Sequence, residues 1–257
     1  MKIVVIGGDG RIGSRLVRNL RRRNYWVLPA SPATDVDTLT GTGLTDALTG
    51  AEVVVDVSNV PSLEGDDALQ FFETSTRNLL SAGREAGVRH HIALSIVGVD
   101  RLAASDYFRA KKIQEDLIKA SWIPFTIVRS TQFFEFISAV VQAGTESEIP
   151  ISPALVQPIA GDDVADALAE TARSVALNAT VEIAGPERLR LDEVATEIAT
   201  AHEDGRQIVA DVHARYFGAE LGERSLLPGP SAFIARGTFD DWLRQSLQPE
   251  WASSLSH

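Results

Sequence analysis

The first 130 residues alternate between short apolar runs and stretches with helical spacing. Lys2–Ile6 is almost continuously apolar, as a strand buried on both faces should be. Ile12, Leu16, Val17 and Leu20 then recur at helical spacing. Trp26–Leu28 predicts a second strand, and Leu44, Ala47 and Leu48 a short helix. Val53–Val57 predicts a third strand, followed by a long helix over Asp66–Ala86. A strand over His91–Ile96, a helix over Tyr107–Ala120 and a strand over Phe125–Val128 complete the series. Strands and helices alternating in this way predict an α/β fold, a doubly wound parallel sheet covered on both faces.

Beyond Arg129 glycine, proline and polar residues become more frequent, as in Leu226-Leu227-Pro228-Gly229-Pro230. Asp162 is placed to cap a helix carrying Val164, Leu168 and Ala172. Val181–Ile183 predicts a late strand and Leu191–Ala201 another helix. The chain is expected to form a single domain over 1–257, in which residues from about 131 onward build a small C-terminal lobe.

The turn after the first strand carries the strongest chemical signal. Ile6-Gly7-Gly8-Asp9-Gly10-Arg11-Ile12-Gly13 fits both Gly8-x-Gly10-x-x-Gly13 and Gly7-x-x-Gly10-x-x-Gly13. An early glycine turns the chain, Gly10 lets backbone amides approach a pyrophosphate at the helix N-terminus, and Gly13 lets the helix pack on the sheet. Its setting between a buried strand and an amphipathic helix points to a nicotinamide dinucleotide, with Gly7, Gly10, Arg11, Ile12 and Gly13 at the phosphates. Enzymes that prefer NAD place an acid after the second strand; here Leu28-Pro29-Ala30-Ser31-Pro32 holds none. Ser31 and Arg11 are candidates to meet a 2′-phosphate, which favours NADP(H). NAD(H) stays open because Asp35 and Asp37 follow closely.

Tyr107 and Lys111 form a Tyr-x-x-x-Lys pair and share a helix face. Ser95, twelve residues before Tyr107, lies near the C-terminal end of its strand, the edge where such sheets bind ligands. Together they suit carbonyl reduction. An ammonium beside the phenol should lower its pKa from about 10, so that Tyr107 protonates a carbonyl oxygen as hydride arrives. Ser95 would hold the same oxygen, and Lys111 would also bind the nicotinamide ribose. The competing reading is an ordinary exposed helical pair.

With these elements in place the sequence resembles the short-chain dehydrogenase/reductase superfamily, and more closely its atypical NmrA-like and NAD(P)H-binding branch. The resemblance also runs through Asp56-Val57-Ser58-Asn59, Ala93–Gly98, Ile127–Phe133 and Gln157–Val164. It implies a Rossmann fold, Ser58 and Asn59 beside the adenosine or ribose, and Arg129–Phe133 lining the nicotinamide pocket. Many NmrA-like members lack the tyrosine and act as redox-sensing regulators. The expectation is therefore an NADP(H)-dependent reductase of a ketone, aldehyde or quinone, with a non-catalytic NADP(H) sensor as the alternative. An epimerase using tightly held NAD is a third reading.

Charge and composition narrow the partners. Lys and Arg number 24 against 35 Asp and Glu, a net charge of −11, which disfavours nucleic acid. Arg21-Arg22-Arg23 ends the first helix at the far side of the sheet and reads as a solvated helix end. Cysteine is absent, so thiolate sites and disulfides do not arise. No metal site is expected: His90-His91 begins its strand, away from the ligand edge. No apolar run is long enough for a bilayer, and a small-molecule partner, a cytoplasmic location and no membrane contact are expected. A homodimer stays open. His213–Phe217 is a candidate wall of the substrate pocket.

Overall fold

The computed structural model describes residues 1–60, 67–143 and 147–248. In its first half β1 (Lys2–Ile6), α1 (Arg11–Arg22), β2 (Trp26–Ala30), α2 (Leu44–Leu48), β3 (Val53–Asp56), α3 (Asp67–Glu85), β4 (His90–Ile96), α4 (Asp106–Lys119) and β5 (Phe125–Ser130) follow one another. The second half comprises α5 (Phe134–Ala143), β6 (Glu148–Ile151), β7 (Leu155–Val156), α6 (Gly161–Arg173), β8 (Ala179–Ala184), β9 (Leu189–Arg190), α7 (Leu191–Ala201), β10 (Gln207–Ala210), β11 (Arg215–Tyr216), β12 (Ala219–Glu220), β13 (Phe233–Ile234) and α8 (Phe239–Ser246).

Seven strands form one parallel sheet in the order β2-β1-β3-β4-β5-β8-β13. The chain leaves β1 toward β2 and returns to β3 on its other side. The crevice beyond the carboxyl ends of β1 and β3 is thus the switch point where such sheets take ligands. β2 runs two residues past its predicted end because Pro29, which lacks an amide for the ladder, is tolerated on an edge strand.

Alternation along the strands divides the core. Ile3, Val5, Val53, Val55 and Ile92 pack with Leu16, Leu20, Val164 and Leu168 of α1 and α6. Val4, Ile6 and Val54 pack with Leu44, Leu48 and Leu79 of α2 and α3. Leu16 and Leu20 are fully buried, each contributing about 1.5–3 kcal/mol of transfer free energy. A separate cluster joins Phe134, Ile137 and Val141 of α5 to Val194 and Ile198 of α7 and to Phe239 and Trp242 of α8. The small β6–β10 sheet packs there through Ile149 and Ile151.

Two local readings need correction. The helix predicted to be capped by Asp162 is capped by Ala160, and Asp162 lies in its first turn, paired with Arg15 at 3.3 Å and Arg18 at 3.5 Å. The acid favours the positive end of the helix without capping it. Asp66, the predicted start of the long helix, lies outside the described residues.

Candidate functional site

The glycine turn is shaped by sterics. Gly7 adopts φ +75°, and a Cβ there would lie 3.0 Å from the backbone of Ser58. A Cβ on Gly13 would lie 2.0 Å from the Gly7 carbonyl oxygen, so α1 reaches the turn only with glycine at that position. Gly10 caps α1 and offers no side-chain acceptor; the first helical bond runs from the Ser14 amide to the Gly10 carbonyl at 2.9 Å. The amides of Arg11, Ile12 and Gly13 therefore precede the helical ladder, and no acid occupies the first turn. This cradle suits a pyrophosphate. Gly7, Gly10, Arg11 and Ile12 border a cavity of about 640 Å³, with Gly13 packed behind them.

At the end of β2 the same cavity is lined by Ala30, Ser31, Pro32 and Val36–Leu39. Ser31 is buried, and its hydroxyl donates to Asp9 at 2.8 Å. The strand end itself holds no carboxylate, as expected from the sequence, but that of Asp9 in the glycine turn reaches it. Asn78 on α3 donates to the carbonyls of Thr38 and Leu39 at 2.9 Å and fixes that wall.

After β3, Ser58 donates to Asp56 at 2.6 Å and borders the cavity. Asn59 was expected near the adenosine or ribose. It borders the cavity, and its side-chain oxygen accepts a hydrogen bond from the Tyr107 hydroxyl at 3.1 Å. Ser105 caps α4, accepting from the Phe108 amide, and this sets Tyr107 in the first turn. Burial pushes the Tyr107 phenol up to about 12, with the Asn59 contact opposing it.

Lys111 does not lower Tyr107. Its ammonium donates to the Leu94 carbonyl at 2.8 Å and to Gln114, and lies 4.4 Å from the Phe72 ring centre. Gln114 donates onward to Asp56 at 2.9 Å. Burial lowers Lys111 to about 8, partly offset by the charges of Asp56 and Glu115. Lys111 borders the cavity but acts as a brace tying α4 to β3 and β4.

Ser95 also differs from expectation. It pairs in register with Arg129 across β4 and β5, so both side chains leave the sheet on one face. Its hydroxyl donates to the buried Glu115 at 2.7 Å, and Arg129 meets both oxygens of Glu115 at 2.8 Å. Burial would raise Glu115, but bonds from Arg129, Lys119 and Ser95 outweigh it and hold the group at about 2. Tyr107 and Ser95 share no hydrogen bond, and the Ser95 hydroxyl is engaged away from Tyr107.

The segment Arg129–Phe133 contributes a feature that pattern reading missed. Gln132 is 3% exposed, and neither its side-chain nitrogen nor its oxygen has a partner; the buried Thr131 hydroxyl is likewise unmatched. Both residues border the cavity. Buried polar groups are normally paired, so this donor–acceptor set suits a ligand. Of His213–Phe217, Tyr216 and Phe217 line the cavity, whereas His213 is exposed and 3.8 Å from Glu220. His90 bonds Thr126 at 2.9 Å inside the sheet. Among the described residues no group of acids and histidines is gathered to hold a metal ion, and no helix is long and apolar enough to cross a membrane.

Comparison with known proteins agrees with this architecture. A family model described as NAD(P)H-binding matches residues 7–174. A chloroplastic divinyl chlorophyllide a 8-vinyl-reductase from Cucumis sativus is 27% identical over 223 residues, 72% of this chain and 52% of that protein. The photosystem II assembly factor Ycf39 of Cyanophora paradoxa is 26% identical over 149 residues, 52% of this chain and 46% of that protein. The chain thus spans about half the length of these curated relatives. Among solved structures, MoeE5 in complex with UDP-glucuronic acid and NAD has a TM-score of 0.73 at 21% identity, covering 98% of this chain and 99% of that one. A short-chain dehydrogenase/reductase superfamily protein from Agrobacterium tumefaciens with bound NAD has a TM-score of 0.72 at 18% identity, covering 99% and 97%. At these identities the likeness speaks to the fold. The family match takes in well over half of the chain and begins at the glycine cradle itself, and the chain belongs to the NAD(P)H-binding family.

Proposed function

We propose that the protein is an NAD(P)H-dependent reductase of a small carbonyl compound, with Tyr107 as the proton donor. The observation that carries this reading is a single cavity running from the glycine cradle past Asn59 to Tyr107. When bound, the reduced dinucleotide supplies hydride for the carbonyl carbon. Tyr107 supplies the proton: its O–H bond breaks as the carbonyl oxygen becomes a hydroxyl, and the tyrosinate recovers a proton from solvent. A phenol held near 12 is protonated at neutral pH, so it can donate but not abstract a proton, and it is a weaker acid than a free phenol until a bound substrate and cofactor change its surroundings. Asn59 orients that phenol. Lys111 and Ser95 support the site by bracing α4 against β4 and β5.

For the cofactor, the Asp9–Ser31 pair supports NAD(H) over NADP(H). A carboxylate accepts from a ribose hydroxyl and repels a 2′-phosphate. Arg11, exposed on the first turn of α1, is assigned to the pyrophosphate.

Tyr107→Phe tests the mechanism. The variant should bind NADH with unchanged affinity and lose at least 100-fold in turnover across a panel of aldehydes, ketones and quinones. Undiminished turnover overturns the assignment of the proton donor. A wild-type protein that binds NADH tightly yet reduces nothing in the panel is instead a dinucleotide sensor.

A further inference from the structure

The C-terminal part of the cavity contains a stack of three aromatic rings contributed by three separate elements. Phe217 lies between Tyr107 of α4, at 4.8 Å and 16° between planes, and Phe136 of α5, at 5.2 Å and 12°. Tyr216 and Phe108 meet the Phe217 ring by their edges, at 4.8 and 5.9 Å. Two near-parallel rings with a third between them make a slot of one ring's thickness.

The way Phe217 enters this slot is unusual. β11 and β12 pair antiparallel through a two-residue turn, Phe217-Gly218, with φ values of 49° and 82°. Both residues are left-handed, the pattern that favours Asn-Gly and disfavours an aromatic residue at the first position. The backbone preference is thus overridden by the ring's seat in the slot. The surroundings are largely carbon, with Phe71, Ile96 and Phe133 bordering the same cavity.

We propose that the slot between Tyr107 and Phe136 binds the ring of a planar, conjugated, uncharged carbonyl compound, a quinone or aromatic ketone, and that Phe217 fills it until the substrate arrives. This rests on the reductase reading, because Tyr107 is both the floor of the slot and the proton donor. On entry of the substrate ring, the Phe217 ring leaves and the short hairpin swings away.

The test is equilibrium binding of 9,10-phenanthrenequinone to the full chain by titration calorimetry, separately from turnover. Phe217→Asn removes the competing ring and installs the residue that the turn prefers. Its unfolding temperature should fall by a few degrees, because the stacking lost outweighs the turn preference regained, and it should bind the quinone at least fivefold tighter. Phe136→Leu keeps apolar bulk but removes the stacking face, and should bind the quinone at least tenfold more weakly. Equal weakening in both variants overturns the proposal, because Phe217 is then a wall rather than a placeholder. Unchanged affinity in both also overturns it. Butanal reduction separates the two readings: turnover without quinone binding sinks the slot and keeps the reductase, whereas quinone binding without any turnover does the reverse.

Discussion

Replacing Gln132 by methionine should stabilise the ligand-free protein and weaken its hold on the dinucleotide. The side chain is buried, with both polar atoms unmatched. Each unmade bond costs about 1–3 kcal/mol. Methionine has similar length and no amide, and imperfect packing of the new side chain costs up to about 1.5 kcal/mol. Taking the lower half of the bond range, the net gain is about 2 kcal/mol, or roughly 4–8 °C in unfolding temperature for a chain of this size. The carboxamide of a nicotinamide offers the matching donor and acceptor. Loss of two neutral bonds at about 0.7 kcal/mol each corresponds to roughly tenfold in affinity. Thermal unfolding without ligand and calorimetric titration with NADH measure the two effects on one preparation. A variant that melts below wild type and binds NADH equally well would refute the reasoning, since Gln132 would then be an ordinary packing residue.

Two further predictions concern charge. Asp9→Asn should raise affinity for NADPH about tenfold relative to NADH, by removing a carboxylate beside the ribose; fluorescence titration with both cofactors measures the ratio, and an unaltered ratio contradicts the role given to Asp9. His91 is buried and held down at about 4, chiefly by burial, with the Asp56 charge opposing and His90 adding to the shift. The unfolded chain binds this proton below about pH 6.5 while the folded protein refuses it, so stability is full above 6.5 and falls as pH drops toward 4. At pH 5 the loss from His91 is about 2 kcal/mol relative to pH 7.5. Urea unfolding should show this in wild type and much less of it in His91→Phe.

The alternation of apolar runs was enough to find the strands of the main sheet up to β5, because a strand buried on both faces has little freedom in composition. The glycine turn was legible for the same reason: contacts of 2.0 and 3.0 Å leave no room for a Cβ. Tyr107 and Lys111 were found as a helical pair, yet spacing cannot show where a side chain's bonds go. The Lys111 bonds to Leu94 and Gln114, and the Ser95 bond to Glu115, are decided by strand register and by which residues lie across it. Asp9 was hidden because its partner Ser31 follows β2, 22 residues further along the chain. The C-terminal elements were harder still. β7, β9, β11, β12 and β13 are two residues long, too short for any period to appear.

The placement of β13 has a consequence for synthesis. β8 is complete at Ala184, but its outer neighbour is formed by Phe233 and Ile234, after the intervening lobe segment. A chain emerging from the ribosome therefore carries β8 as an open edge while that segment is made. Open edges of this kind invite pairing with other chains. A nascent chain stalled or truncated before residue 233 is expected to be prone to association, even with its cofactor cradle already folded.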